Sequence, residues 1–285
     1  MTIQEWKNQG AFFQYKEHSI FYRDEGQGDV LLLIHGFPTA SWDWWKIWPT
    51  LIKSYRVIAL DMIGFGFSDK PTNYQYSILD QANIHEALLK QLNIDTCHIL
   101  AHDYGDTVAQ ELLARFNEKQ LGFDIASICL LNGGLFPETH KPKLIQKLLI
   151  SPVGSIFGAL TSKKRLKANF DAIFGQNTPP SSQEIDEFWS LIMHNKGKRI
   201  MHKLIRYMSE RRQHRTRWVG ALQQSSIPLR LINGGHDPIS GAHMAHRYEE
   251  LIPTPDVVAL PDIGHYPQTE APELVLENYL AFTNS

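Results

Sequence analysis

The pentapeptide Ala101-His102-Asp103-Tyr104-Gly105 constrains this chain more than any other feature. It follows the apolar run Cys97-His98-Ile99-Leu100 and opens the helical pattern Thr107-Val108-Ala109-Gln110-Glu111-Leu112-Leu113. A strand that turns at once into a helix, with small residues two before and two after the central one, reads as a nucleophile elbow. Most such elbows present Ser, which needs a base to remove its proton before it attacks. Here the central residue is Asp103. A carboxylate with an ordinary pKa of about 3.9 is already ionised at neutral pH. Its attack on an ester would give only a reactive anhydride. Attack on an sp3 carbon bearing a leaving group gives a stable alkyl ester that water can later cleave. The pattern therefore points to epoxides and alkyl halides rather than to esters and amides.

Three further elements stand in register with the elbow. Val30-Leu31-Leu32-Leu33-Ile34 reads as a strand and ends in His35-Gly36-Phe37-Pro38, where Gly36 lets the backbone turn back toward Asp103. Leu229-Arg230-Leu231-Ile232 runs into Asn233-Gly234-Gly235-His236-Asp237-Pro238, a turn that presents Asp237. Val257-Val258-Ala259-Leu260 leads to Ile263-Gly264-His265-Tyr266-Pro267, which presents His265. Nucleophile, acid and histidine thus follow one another along the chain, each just after an apolar run.

On these segments, together with Asp61-Met62-Ile63-Gly64-Phe65-Gly66-Phe67-Ser68-Asp69-Lys70-Pro71, the chain resembles the epoxide hydrolase and haloalkane dehalogenase branch of the α/β-hydrolase superfamily. Asn132-Gly133-Gly134-Leu135-Phe136-Pro137-Glu138-Thr139-His140 and Arg217-Trp218-Val219-Gly220-Ala221-Leu222 make it most similar to the mesoderm-specific transcript subfamily, over nearly its whole length. The resemblance implies an Asp103 nucleophile, His265 as general base for the hydrolytic water and Asp237 as its orienting partner. It also implies an oxyanion hole from the amides of Phe37 and Tyr104. Many dehalogenases hold the departing halide with a Trp and an Asn side chain at these two places. Phe37 and Tyr104 offer no such side-chain N–H, which favours an epoxide over a halide. Epoxide hydrolases protonate the ring oxygen with tyrosines of the cap, and Leu204-Ile205-Arg206-Tyr207-Met208 resembles a helix that carries one. Tyr207 is then the expected acid, without a second tyrosine beside it. His35, Gly36, His102 and Asn132 are expected behind the reacting groups, and the end of the strand before the cap holds Asn132, which cannot supply a carboxylate. The alternatives are a dehalogenase-like enzyme and a non-catalytic, lipid- or membrane-associated protein that keeps the elbow as a relic.

Strand-like runs at 30–34, 56–60, 97–101, 126–132, 229–233 and 256–260 alternate with helical patterns such as Ile78–Leu92, Asp106–Phe116 and Pro272–Thr283. That rhythm predicts an α/β fold, a mostly parallel sheet covered on both faces. Glu17–Arg23 is expected to add an early antiparallel hairpin. Residues 134–222 break the rhythm and read as an inserted helical cap, with helices over Ser182–Met193 and Arg199–Arg212. The hydrolase core would then be 1–133 and 223–285.

Charge separates the two parts. Residues 139–222 hold 16 Lys and Arg against 5 Asp and Glu, whereas the rest of the chain holds 12 against 25. A solvated cap surface explains this, and so would attraction to an anionic substrate or an acidic membrane surface. The mixed run Lys143–Ile150 fits an amphipathic helix of either kind. A net charge of −2 and the lack of a recognition module exclude nucleic acid. His243 and His246 have helical spacing without a third ligand, so no metal site is expected, and the chemistry needs no cofactor. The four tryptophans Trp42, Trp44, Trp45 and Trp48 read as packing, and Asp106 as a structural acid in the first turn of the elbow helix. The expected partners are a small apolar substrate and water. Cys97 and Cys129 read as buried thiols, and with no signal-like start or membrane-length apolar run the default location is cytoplasmic.

Overall fold

The structure, a computed structural model, describes residues 1–141, 144–151, 154–159 and 161–283. Lys143, at the start of the mixed amphipathic run, and Pro152 lie outside the described residues. Eight strands form one sheet: β1 (Ala11–Tyr15), β2 (His18–Glu25), β3 (Val30–Ile34), β4 (Arg56–Leu60), β5 (Thr96–His102), β6 (Asp124–Leu131), β7 (Leu229–Gly234) and β8 (Val257–Leu260). Their order is β1-β2-β4-β3-β5-β6-β7-β8. β1 and β2 form the antiparallel hairpin, β2 runs antiparallel to β4, and every later pairing is parallel. This is the α/β-hydrolase architecture anticipated from the alternation of strands and helices. β3 is apolar throughout, as a strand covered on both faces should be: Leu31, Leu32, Leu33 and Ile34 are completely buried.

The chain leaves β3 toward one edge of the sheet and, after β4, crosses to the other to form β5. β3 and β5 are therefore neighbours from which connections diverge, with Ile34 opposite Ala101. Open α/β sheets place their ligands in the crevice at such a switch point, outside the carboxyl ends of the strands. The His35–Pro38 loop and the Asp103 turn both emerge there.

Three features make the turn sharp. Asp103 has φ 49° and ψ −103°, a conformation that costs a non-glycine residue about 1–3 kcal/mol. Its amide donates to the Leu131 carbonyl at 3.1 Å, which ties the turn to β6. The helix that follows, Tyr104–Asn117, passes so close to β3 that a Cβ on Gly105 would lie 2.2 Å from the Ile34 carbonyl oxygen. On its far side this helix packs against Arg215–Gln223, where Glu111 accepts from Arg217 Nε and Trp218 Nε1, both at 2.8 Å.

Between β6 and β7 the described residues carry helices and no strand. Ser182–Met193 forms over its expected span, because Ser181 and Glu184 make a reciprocal capping box at its start. Arg199–Arg212 does not form one helix. It divides into Met201–Leu204 and Tyr207–Gln213, with three-residue-spaced bonds from Met208 N to Ile205 O (3.3 Å) and Ser209 N to Arg206 O (2.8 Å) at the joint. Met201, Leu204, Ile205, Tyr207, Met208 and Arg211 are all buried. Trp6 packs edge to face on both Trp42 and Trp48, and Trp42 Nε1 reaches Glu187 of the helical insertion at 3.2 Å. Cys97 and Cys129 are free and buried. Among the described residues no helix is long and apolar enough to cross a membrane.

The close approach at the elbow sets a first prediction. Gly105→Ala forces a methyl group into the β3 backbone, so stability should fall by about 2 kcal/mol or more. The midpoint of urea unfolding measures it, and an unchanged midpoint would show that the helix does not approach the strand so closely.

Candidate active site

Asp103, Asp237 and His265 each stand just after a strand of the parallel sheet. Asp103, after β5, is 4 % exposed. Its Oδ2 accepts from the Phe37 amide at 3.1 Å, across a gap kept open by Gly36, where a Cβ would sit 2.6 Å from His102 Nδ1. Tyr104, whose amide is the other oxyanion donor implied by resemblance, opens the elbow helix as the next residue. Asp237, after β7, and His265, after β8, meet through His265 Nδ1 and Asp237 Oδ2 at 2.7 Å. The other His265 nitrogen is thereby left to face the cavity that His265 shares with Asp103.

The acid and the histidine are held by polar groups around them. Asp237 Oδ1 accepts from the Ile239 amide at 2.8 Å, and Oδ2 from Ser240 N and Asn132 Nδ2, both at 3.1 Å. Asn132 also exchanges two bonds with Gly234, accepting from its amide at 2.6 Å and donating to its carbonyl at 3.0 Å. It links the ends of β6 and β7, a role that residue type alone does not disclose. Glu270 gathers the His265 loop: it accepts from Gly264 N and Tyr266 N at 2.9 Å, and from Gly175 N and Thr178 Oγ1 at 2.7 Å. His102 Nε2 lies 2.7 Å from the His265 carbonyl, and His35 Nε2 accepts from the Met62 amide at 3.1 Å. Burial holds both of these imidazoles neutral, down to about 3 and about 4.

Two residues of the helix Tyr207–Gln213 complete the arrangement. Tyr207 packs against Tyr104 and Phe37, with ring centroids 4.8 and 6.0 Å apart. One turn later Arg211, 3 % exposed, places its guanidinium 4.5 Å over the Tyr207 ring. Arg211 Nη2 donates to the Asp103 carbonyl at 2.9 Å and stands 3.6 Å from Asp103 Oδ1, while Nε donates to Thr107 Oγ1 at 2.7 Å. Burial raises the proton affinity of the Tyr207 hydroxyl, as does the Asp103 charge; the Arg211 guanidinium beside it works the other way. The cavity in front of Asp103 and His265 holds about 110 Å³ and is walled mainly by apolar groups, among them Phe37, Pro38, Leu149, Leu166, Phe170, Ile173, Met201 and Ile239. Tyr207 is not part of that wall; it stands behind Phe37.

A sharp strand-to-helix turn beside an oxyanion loop, served by an acid and a histidine from later strands, matches known proteins. Residues 29–272 fit the model of the alpha/beta hydrolase fold. The chain belongs to that family. The mesoderm-specific transcript homolog protein of Bos taurus is 45 % identical over all of this chain and 88 % of its own length. Among solved structures, the epoxide hydrolase CorEH superposes with a TM-score of 0.77 over 96 % of this chain and 97 % of its own, at 19 % identity. A loop variant of haloalkane dehalogenase DbeA from Bradyrhizobium elkanii gives 0.79 over 95 % of each chain, at 21 % identity. At such identities the two structures speak for the fold.

Within this hydrolase fold, the structure brings Asp103, Asp237, His265, Phe37 and Tyr104 to one place, with His35, Gly36, His102 and Asn132 packed behind them. Sequence reasoning missed Arg211, Ser240 and Glu270. Arg211 had one readable signal, its i,i+4 spacing from Tyr207. It was submerged in the basic run around Arg211-Arg212, which reads as solvated charge.

The buried charges shift one another. Burial works against ionisation of Asp237, but His265, the Ile239 amide and the Ser240 hydroxyl outweigh it and hold the acid down at about 2. Burial likewise favours neutral His265, yet Asp237, Asp103 and Glu270 hold it up at about 9, against an ordinary 6.5. Asp103 stays below the usual carboxylate range because His265, Arg211 and His102 overcome its desolvation. A histidine raised on folding stabilises fully below its unfolded pKa, and the benefit is lost as pH rises through the folded value. Native stability should therefore decline by about 3 kcal/mol between pH 6.5 and 9, with His265→Gln removing that slope. Chemical unfolding at several pH values compares the two, and equal slopes would show that His265 is not charged in the resting fold.

Proposed function

We propose that the protein is a hydrolase that forms an alkyl ester on Asp103 and cleaves it with water, with an epoxide as substrate. The observation that carries this reading is a carboxylate, rather than a hydroxyl, on the strained elbow. Oδ2 of that carboxylate already lies on an oxyanion-type amide, and Oδ1 is left to attack. In the first step Asp103 Oδ1 bonds to a ring carbon, the C–O bond breaks, and the ring oxygen takes a proton from Tyr207, whose hydroxyl must reach it past Phe37. In the second step His265 removes a proton from water, and the resulting hydroxide adds to the ester carbonyl. The charge that develops falls on the oxygen held by Phe37 N–H, with Tyr104 N–H as the second donor. Collapse returns the carboxylate and releases a diol. The apolar cavity suits an apolar substrate.

Protonated His265 is the wrong form for the second step, and the first step corrects it. Esterification abolishes the Asp103 charge, one of the groups that hold the imidazolium. The proton can then pass to the Tyr207 phenolate, leaving a neutral base when a base is needed. A group pinned as imidazolium throughout would stall the ester.

Two outcomes follow. His265→Gln should still be alkylated, because attack needs no base, but should stall as a covalent adduct. Intact-mass spectrometry after epoxide addition reads this, and free turnover, or an adduct mapped to another residue, would refute the two-step route. Tyr207→Phe should slow epoxide opening by about 10²- to 10⁴-fold, the usual worth of a general acid, while a matched alkyl bromide changes far less. Single-turnover rates on the pair decide it. An unchanged epoxide rate removes Tyr207 from the chemistry, and efficient alkylation by the bromide alone would assign the site to dehalogenation.

A further inference from the structure

The geometry points to Arg211 as the fixed counter-charge of the alkylation step, a positioning residue that selects substrates whose leaving atom is oxygen. The inference rests on the alkyl-ester reading and adds to it the group that answers for the missing second cap tyrosine. A guanidinium buried to 3 % exposure is costly unless its charge is met. Three of its contacts lead to the reacting centre: Nη2 to the Asp103 carbonyl at 2.9 Å, Nη2 to Asp103 Oδ1 at 3.6 Å, and the face of the group over Tyr207 at 4.5 Å. Nε on Thr107 fixes the plane of the fork. Arg211 Nη1 has no partner, so the group is not saturated by structural bonds.

The placement has a consequence for where charge goes. Before reaction the negative charge is on Asp103. As Oδ1 bonds to carbon and the C–O bond breaks, the electron pair moves to the leaving oxygen, which takes the Tyr207 proton and leaves a phenolate. The starting carboxylate lies 3.6 Å from the guanidinium, and the ring that would become the phenolate lies under its face. Negative charge is thus handed over beside a cation that need not move, which is electrostatic preorganisation. The hydroxyl of Tyr207 is otherwise a poor acid, since burial and the Asp103 charge both oppose its ionisation and Arg211 is what opposes them. A halide carries its charge away as a free ion and needs no phenolate, so it gains little from this pairing.

The test uses the full chain with His265→Gln, so that each alkylation of Asp103 is counted as a stable mass increase. Arg211→Gln should slow alkylation by an epoxide about 10²-fold, with Arg211→Lys intermediate, and slow a matched bromide less than about tenfold. When Tyr207→Phe is already present, Arg211→Gln should cost less than about threefold more, because two residues acting as one unit are not additive. Equal losses on both substrates, or a full extra loss on top of Tyr207→Phe, would mean that Arg211 only braces the elbow, and would overturn the inference. Alkylation of the parent by neither compound would instead bring down the alkyl-ester reading itself. One measurement needs no substrate: the pH midpoint for modification of Asp103 by a water-soluble carbodiimide, in otherwise native protein, should move upward in Arg211→Gln. An unmoved midpoint overturns the pairing whatever the substrate is.

Discussion

The site depends on balancing four buried charges. Asp103 and Asp237 are anions, His265 and Arg211 are cations, and none is more than 4 % exposed. Any one of them alone would be expelled or neutralised by its desolvation cost. Together they leave no net charge, and each fixes the ionisation of its neighbours. The same balance makes the site responsive. In the proposed reaction, esterification of Asp103 would remove one anion, and the set would return to neutrality by losing the His265 proton.

Such a balance requires placement to within a few tenths of an ångström, and backbone-anchored polar groups supply it. Asn132 ties β6 to β7 under Asp237, and Glu270 gathers amides from both the His265 loop and the helical insertion. The insertion is therefore more than a cover. It carries Arg211 and Tyr207 on one short helix, contributes Gly175 and Thr178 to the Glu270 cluster, and closes the apolar cavity with Leu149, Leu166 and Phe170. Stability and chemistry draw on the same bonds here.

Much of this was legible before any coordinates. Asp103, His265 and Asp237 each follow an apolar run and a turn residue, and those are local signals. The parallel sheet was legible from the alternation of runs with helical patterns. What escaped was whatever depended on direction. Arg199–Arg212 carries the period of one helix, yet it breaks at Ile205-Arg206 so that both Met201 and Tyr207 reach the interior. Arg211 sits among basic residues that face solvent, as Arg206 and Arg212 do, and differs from them only in which way it points.

The amino-acid sequence by itself determined the order of the elements, the carboxylate at the elbow and the strand-end position of each member of the candidate triad. These follow from short-range physics: apolar periodicity, glycines at tight turns, and the chemistry of a side chain that is ionised without help. Only the tertiary structure decided that Arg211 belongs with Asp103 and Tyr207, that Asn132 serves Asp237, and that the carboxylates around His265 raise its proton affinity. Apart from Tyr207 and Arg211, which are one turn from each other, those are properties of pairs 28 to 162 residues apart. Their energies come from burial and from distances of a few ångströms, neither of which is written in the local pattern of the chain.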